Sequence, residues 1–433
     1  MPFLVHPSAL TGGEVSAPGD KSISHRALML GAIAEGQTTI SGFLAGEDCL
    51  ATLRALRALG VDCRQTNATS VALRGVGLHG LKAPSAALDL GNSGTAMRLF
   101  AGLLSGQSFS SMLSGDLSLT ARPMQRVITP LSQMGADIES RDGLPPLVIH
   151  GRQPLSGIRY EMPVASAQVK SAILLAGLYA DGETALCEPA VTRDHTERMF
   201  RSMGVVLDTD DMLITLAGGQ SLAAIDVQVP GDLSSAAFIL LAALIAEDCE
   251  LLIRDVGVNP TRTGVIDILR AMGADLSVQN ERLLGEEPVA DIKVRSSELH
   301  GIDVDPGLVS LAIDEFPLLF IAAAAAEGRT QFRGIGELRV KESDRIAAMA
   351  GGLRALGVEV DESEDGAIVQ GGPFAGGTIK TFGDHRIAMA FAVAATVASS
   401  AVKILDTAVV NTSFPGFVDC LNAIGVDIRS EEQ

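Results

Sequence analysis

A chain of 433 residues is long enough for two or three domains. With 33 basic against 52 acidic side chains, a net charge of −19, it lacks the basic face of a nucleic-acid binder. Aromatic residues at 4%, with no tryptophan, also exclude a base-stacking platform, while 47% hydrophobic residues supply ample cores. The N-terminal MPFLVHPSAL has neither the basic nor the long apolar region of a secretory leader. Five cysteines without a CxxC pair fit reduced thiols and a cytoplasmic location. Apolar runs such as LLFIAAAAA (residues 318–326) fall short of the ~20 residues that span a bilayer, so no membrane partner is expected.

In chain order, one phrase recurs six times: an apolar helix end, a glycine, then a strand start. The glycines are Gly60, Gly135, Gly204, Gly273, Gly357 and Gly425, at spacings of 75, 69, 69, 84 and 68 residues. Such spacing exceeds that of a solenoid and predicts six small α/β repeats, each glycine providing a left-handed helix stop. About 30 to 40 residues before each glycine, a polar start opens a helix of small apolar residues that leads into a strand. These starts are at Lys21, Asn92, Ser166, Asp232, Asp314 and Asp384. Their apolar faces read as core.

Several starts carry more than a cap requires: Lys21 and Arg26, Gln168 and Lys170, Asp314 and Glu315, His385 and Arg386. A cation in a first turn opposes the helix dipole, so it makes sense beside a bound anion. The second helix of a repeat begins with ARP (121–123), TRDHTE (192–197), NPTR (259–262), VKESDR (340–345) or TSFPG (412–416). There Arg122, Arg193, Lys341 and Arg345 again exceed ordinary helix-start chemistry. Converging starts would line a cationic cleft suited to a small polyanion.

Other patterns lead nowhere. GVGLHG (75–80) matches GxGxxG, but Pro84 interrupts what should be the following helix. GDKS (19–22) has Asp20 where a phosphate-binding loop needs glycine. Zinc-like His/Cys spacing is lacking, and no cofactor or metal is expected. The residues alone suggest proton transfer on an anionic substrate by carboxylates such as Asp314 and Glu342: a transferase, lyase or isomerase acting on phosphorylated metabolites.

The strings GDKSISHR, GNSGTAMR, SGDLSLTARPM, SAQVKS, RDHTE, NPTR, DEFP, RVKESDR and GDHRIAMA occur in this order over nearly 400 residues. Together they resemble the 5-enolpyruvylshikimate-3-phosphate synthase family, and the GDKS, SAQVK, RDHTE and NPTR forms resemble its second class. The resemblance implies a two-domain inside-out α/β barrel with three repeats per domain. On it, residues 20–229 form one domain, residues 1–19 with 230–433 the other, and the active site lies in the cleft between them; because cleft cations from both halves would repel one another when empty, the halves are expected to close around both substrates. The implied reaction moves the enolpyruvyl group of phosphoenolpyruvate to the 5-hydroxyl of shikimate 3-phosphate and releases phosphate, in the biosynthesis of aromatic amino acids.

By the same resemblance, Lys21, Ser22, Arg26, Ser166, Ala167, Gln168, Arg193, Asp314 and Lys341 bind shikimate 3-phosphate. Lys21, Gly94, Arg122, Gln168, Arg345 and Arg386 bind phosphoenolpyruvate. Asp314 takes the hydroxyl proton, and Glu342 with Lys21 protonates the methylene carbon. A monomer is implied, with glyphosate entering beside Gly94. Two positions depart from the family: Glu337 stands where many members have Asn, and Thr412 where many have Lys. The alternatives are the UDP-N-acetylglucosamine enolpyruvyl transferase, whose glycine-rich cysteine turn is lacking, and a non-catalytic paralogue, against which the intact Lys21, Asp314 and Glu342 argue. An RNA 3′-phosphate cyclase would need a basic surface.

Overall fold

Each of the six glycines ends a helix in the way its sequence predicts. In a computed structural model that describes residues 1–151 and 154–431, all six have φ between +86° and +104°. The helices they close are Glu47–Ala58, Gln125–Gln133, His195–Ser202, Gly264–Ala271, Arg345–Ala355 and Phe417–Ala423. At every one, two reversed hydrogen bonds close the end. At the first, Gly60 N–H donates to the Arg57 carbonyl and Val61 N–H to that of Leu56. The remaining carbonyls are thereby satisfied and the chain is aimed into a strand.

The preceding helices of the repeats are Lys21–Ile33, Gly94–Ser105, Ala167–Gly177, Leu233–Ile245, Phe316–Ala325 and His385–Ala395. Five have an acidic or hydroxyl cap accepting a backbone N–H: Asp20, Ser93, Ser166, Asp232 and Asp384. The fifth helix differs. Asp314 lies ahead of it, and Glu315 occupies the cap position without a side-chain cap bond. These inner helices are buried almost all round, Leu233–Leu244 without interruption. A helix apolar on every face belongs inside a core.

The chain divides into two compact lobes. One comprises residues 19–229 with 283–287, the other residues 1–18, 230–282 and 288–433. Three repeats and one continuous apolar core belong to each. Every repeat has its own small sheet, of four strands in five cases and three in the remaining one. In the second repeat, Leu88–Asp89 runs parallel to Ser111–Ser114, which pairs antiparallel with Leu144–His150, followed by Asp137–Arg141.

Two sheets take their parallel strand from elsewhere in the chain. Val227–Gln228 joins Glu35–Ser41 of the first repeat, and Gly13–Ser16 joins Glu250–Gly257 of the fourth. The sixth sheet is completed by the N-terminal strand Phe3–His6, between Val402–Ile404 and Asp427–Ser430.

Inner helices approach closely where glycine allows it. A Cβ on Gly102 would lie 2.1 Å from the Ala172 carbonyl oxygen of the neighbouring inner helix. Gly204, by contrast, faces open space at φ +86°. Gly204→Ala is therefore expected to cost about 1–2 kcal/mol from backbone strain alone. Gly102→Ala must push two helices apart and is expected to cost about 1–3 kcal/mol with a concurrent loss of packing order. Urea unfolding of both variants checks this; a neutral Gly102→Ala would contradict the packing.

Candidate functional site

In the lobe of residues 19–229 the three inner-helix N-termini are tied pairwise. His25 Nε2 lies 3.5 Å from Ser93 Oγ, joining the first repeat to the second. Arg98 Nη1 donates to Gln168 Oε1 at 2.7 Å, and Gln168 Nε2 to Thr95 Oγ1 at 2.9 Å, joining the second to the third. Arg26 Nη2 donates to Ser171 Oγ at 2.6 Å, joining the first to the third. Three N-termini and their unpaired N–H groups thus gather with Lys21, Arg98, Arg122 and Arg193 in one lobe of an acidic chain. That is chemistry for holding anions.

Individual residues have distinct surroundings. Lys21 Nζ is 3.0 Å from Asp48 Oδ2 and partly open to solvent. Arg26 is buried; besides Ser171 it donates from Nε to Thr196 Oγ1 at 2.7 Å and from Nη1 to the Ser22 carbonyl at 3.0 Å. Those three bonds use three of the five guanidinium N–H groups. Burial lowers its pKa to about 10, so it stays charged at neutral pH. Arg122 Nη2 is held by Asn92 Oδ1 at 2.5 Å and Ser118 Oγ at 3.3 Å.

A Cβ on Gly94 would sit 3.0 Å from Arg98 Nη1 and 3.2 Å from Arg122 Nη1, so the glycine keeps space beside two guanidiniums. Ser166 caps the third repeat's inner helix through the Val169 N–H, placing Ala167 and Gln168 in its first turn. Lys170, which the sequence marks beside Gln168, turns inward and is buried against Glu188 and Glu197.

The second lobe has an equivalent arrangement of opposite character. Ser234 Oγ donates to Glu315 Oε1, Arg386 Nη1 donates to the Asp314 carbonyl at 2.8 Å, and Arg386 Nη2 lies 3.5 Å from Ser234 Oγ. These contacts link the fourth, fifth and sixth repeats. Arg345 is buried among three carboxylates: Asp384 Oδ2 at 2.8 Å, Glu342 Oε2 at 2.5 Å and Asp314 Oδ1 at 3.4 Å. Burial disfavours its charge, but Asp384, Glu342 and Asp314 outweigh burial and raise its pKa. One guanidinium therefore orients both carboxylates that the sequence marks for proton transfer.

Lys341 stands 3.6 Å from Glu337. Burial pulls its ammonium below the usual lysine range, against the opposing pull of Asp314 and Glu337. Thr412 is buried at the end of a short 3-10 helix, its hydroxyl donating to the Val409 carbonyl at 2.7 Å, so that position supplies no cation.

The family model for EPSP synthase (3-phosphoshikimate 1-carboxyvinyltransferase) matches residues 5–421. The chain belongs to the EPSP synthase family. Among curated relatives, the 3-phosphoshikimate 1-carboxyvinyltransferase of Alkalilimnicola ehrlichii is 58% identical over 428 residues, covering 98% of this chain and 96% of the relative. The protein of that name from Nitrosococcus oceani is 54% identical over 430 residues, covering 99% and 97%. A solved EPSP synthase from Acinetobacter baumannii superposes with a TM-score of 0.88 at 51% identity, covering 99% of this chain and all of that one. The six-repeat α/β architecture is therefore that of the EPSP synthases. No helix among the described residues is long and apolar enough to cross a membrane. No group of three or more His, Cys, Asp or Glu among them is arranged to hold a metal ion.

Sequence reasoning missed Arg98 and His25, though both sit within its motif strings. Arg98 follows Gly94 by one helical turn, the spacing that lets a side chain reach back over the N-terminus. His25 is fully buried, with Nδ1 2.8 Å from Thr52 Oγ1; burial, then Lys21 and Arg26, pull its pKa down to about 3. The folded state thus refuses a proton that the unfolded chain accepts near pH 6.5. Its contribution to stability is complete above about pH 6.5 and is lost toward pH 3, at about 1.4 kcal/mol per pH unit. The stability advantage of wild type over His25→Asn is expected to shrink by that amount as urea unfolding is repeated from pH 6 to pH 4. A pH-independent difference would contradict the burial of a neutral imidazole.

Proposed function

We propose that this protein transfers the enolpyruvyl group of phosphoenolpyruvate to the 5-hydroxyl of shikimate 3-phosphate, releasing phosphate. The observation that carries this reading is the pairing of two chemistries in a single family member. Cations cluster at three helix N-termini in one lobe, and Arg345 holds two carboxylates, Asp314 and Glu342, in the other. Both substrates are anions, and both reaction halves need proton movement. The UDP-N-acetylglucosamine reading is not favoured, since the relatives are named for the shikimate reaction over nearly the whole chain. The motif forms support the second class of the family, and five free cysteines support action in the cytoplasm. A single chain suffices for activity.

Asp314 acts as the base that accepts the hydroxyl proton. Glu342 and Lys21 deliver a proton to the methylene carbon of phosphoenolpyruvate, which builds positive character at the neighbouring carbon that the hydroxyl attacks. Since the product again contains a carbon–carbon double bond, a proton must leave the new methyl group as phosphate departs. Arg122, Arg345 and Arg386 hold carboxylate and phosphate groups, with Gly94 and Gln168 completing the phosphoenolpyruvate side. Lys21, Ser22, Arg26, Ser166, Ala167, Gln168, Arg193, Asp314 and Lys341 hold shikimate 3-phosphate.

The direct test measures phosphate release with the two substrates together. Turnover only with a UDP-sugar acceptor would overturn the reading. Gly94→Ala crowds Arg98 and Arg122 and is expected to raise KM for phosphoenolpyruvate about tenfold, which is about 1.4 kcal/mol, with little change for shikimate 3-phosphate. Glyphosate is expected to inhibit; activity untouched far above the phosphoenolpyruvate concentration would refute that pocket.

For Lys341, the depressed pKa means its charge is lost below the ordinary lysine value of about 10.4. The kcat/KM for shikimate 3-phosphate is expected to fall on the alkaline side below that value. In Lys341→Arg, which keeps its charge, the fall should move to higher pH.

A further inference from the structure

Lys170 is the most completely buried lysine-bearing ion cluster in its lobe, and the reaction as described does not use it. Its side chain is 1% exposed. All three ammonium hydrogens have acceptors: Glu188 Oε2 at 2.9 Å, Glu197 Oε1 at 2.8 Å and the Thr192 carbonyl at 3.3 Å. Thr192 Oγ1 in turn donates to Glu188 Oε1. Taking these charges out of water is costly, and a buried ion cluster is weak evidence for stability as such. Its place in the chain suggests another use.

Thr192 directly precedes Arg193, and Glu197 directly follows Thr196, whose hydroxyl accepts the Arg26 Nε–H at 2.7 Å. Ser171, next to Lys170, accepts from Arg26 Nη2 at 2.6 Å and donates to the Ala167 carbonyl at 2.7 Å. Thr196 completes the set by bonding Ser171 Oγ at 2.7 Å. Residues 170–171 and 192–197 therefore form the wall behind Arg26, Ala167 and Arg193, all assigned to shikimate 3-phosphate.

The charges balance across this wall. Lys170 and Arg26 offset Glu188 and Glu197, and Glu197 is one of the charges that Arg26 feels. Glu197 Oε2 is buried with no hydrogen-bond partner. Without Lys170, the Glu197 carboxylate loses its 2.8 Å ion pair, and Arg26, held to the adjacent Thr196, feels that charge uncompensated. We propose that Lys170 is a positioning residue for shikimate 3-phosphate: by satisfying Glu188 and Glu197 it leaves Arg26 and Arg193 directed at the ligand. This rests on the function proposed above.

The experiment compares KM for each substrate in full-length variants. Lys170→Met is expected to raise KM for shikimate 3-phosphate at least tenfold and to change KM for phosphoenolpyruvate less than threefold. Because that variant leaves an unpaired buried charge and can fail to fold, two double variants of equal net charge decide the matter. Lys170→Met/Glu188→Gln keeps Glu197 to capture Arg26 and should retain the tenfold defect. Lys170→Met/Glu197→Gln removes the captor and should return KM for shikimate 3-phosphate to within threefold of wild type. Equal KM values in the two doubles, or parallel rises for both substrates, overturn the proposal. Wild-type protein that neither binds shikimate 3-phosphate nor turns over the pair overturns the functional reading itself.

Discussion

The structure depends on one constraint: three nearly all-apolar helices must pack side by side in each lobe, so their N-termini arrive together. Burial on every face leaves these helices no solvent side, as Leu233–Leu244 illustrates, and glycines such as Gly102 let their backbones approach. Once packed, the polar groups at their starts lie within reach of one another. The pairwise links His25–Ser93, Arg98–Gln168 and Arg26–Ser171 in one lobe, and Ser234–Glu315 and Arg386–Asp314 in the other, follow from that geometry. On the function proposed, anion binding falls where the packing gathers positive helix ends.

The two lobes use equivalent positions differently. In one, the clustered starts are mainly cationic, and Asp48, Asn92 and Thr196 restrain the cations. In the other, carboxylates predominate, and the buried Arg345 orients Asp314, Glu342 and Asp384. A repeated scaffold thus presents clustered cations in one lobe and clustered carboxylates in the other, because the residues at the helix starts differ.

Much of this was legible in the sequence. The six glycines could be read because a left-handed helix end has few solutions, and each is a C′ residue with positive φ. The inner helices were legible from their unbroken apolar character. Side-chain direction was not. Lys170 and Gln168 are two residues apart on one helix, yet Lys170 points into a buried carboxylate pair and Gln168 toward Arg98. Arg26 was legible as a cation for a bound anion, but not its place between repeats with three donors committed. Strand partners were equally hidden: nothing local in Val227–Gln228 says that it pairs with Glu35–Ser41.

That last feature bears on how the protein is made. The lobe of residues 19–229 is a nearly continuous stretch, so its three repeats are all available once residue 229 has been made. The other lobe needs both ends of the chain, because Phe3–His6 sits between Val402–Ile404 and Asp427–Ser430. Gly13–Ser16 can pair once Glu250–Gly257 is made, but Phe3–His6 must wait for Asp427–Ser430 before its sheet can close. Domains generally fold as units during synthesis, N-terminal first. Here that order is partly reversed: Phe3–His6 is among the last strands to find its place, and the lobe carrying Asp314 and Glu342 cannot complete its sixth sheet until residues 427–430 have been made.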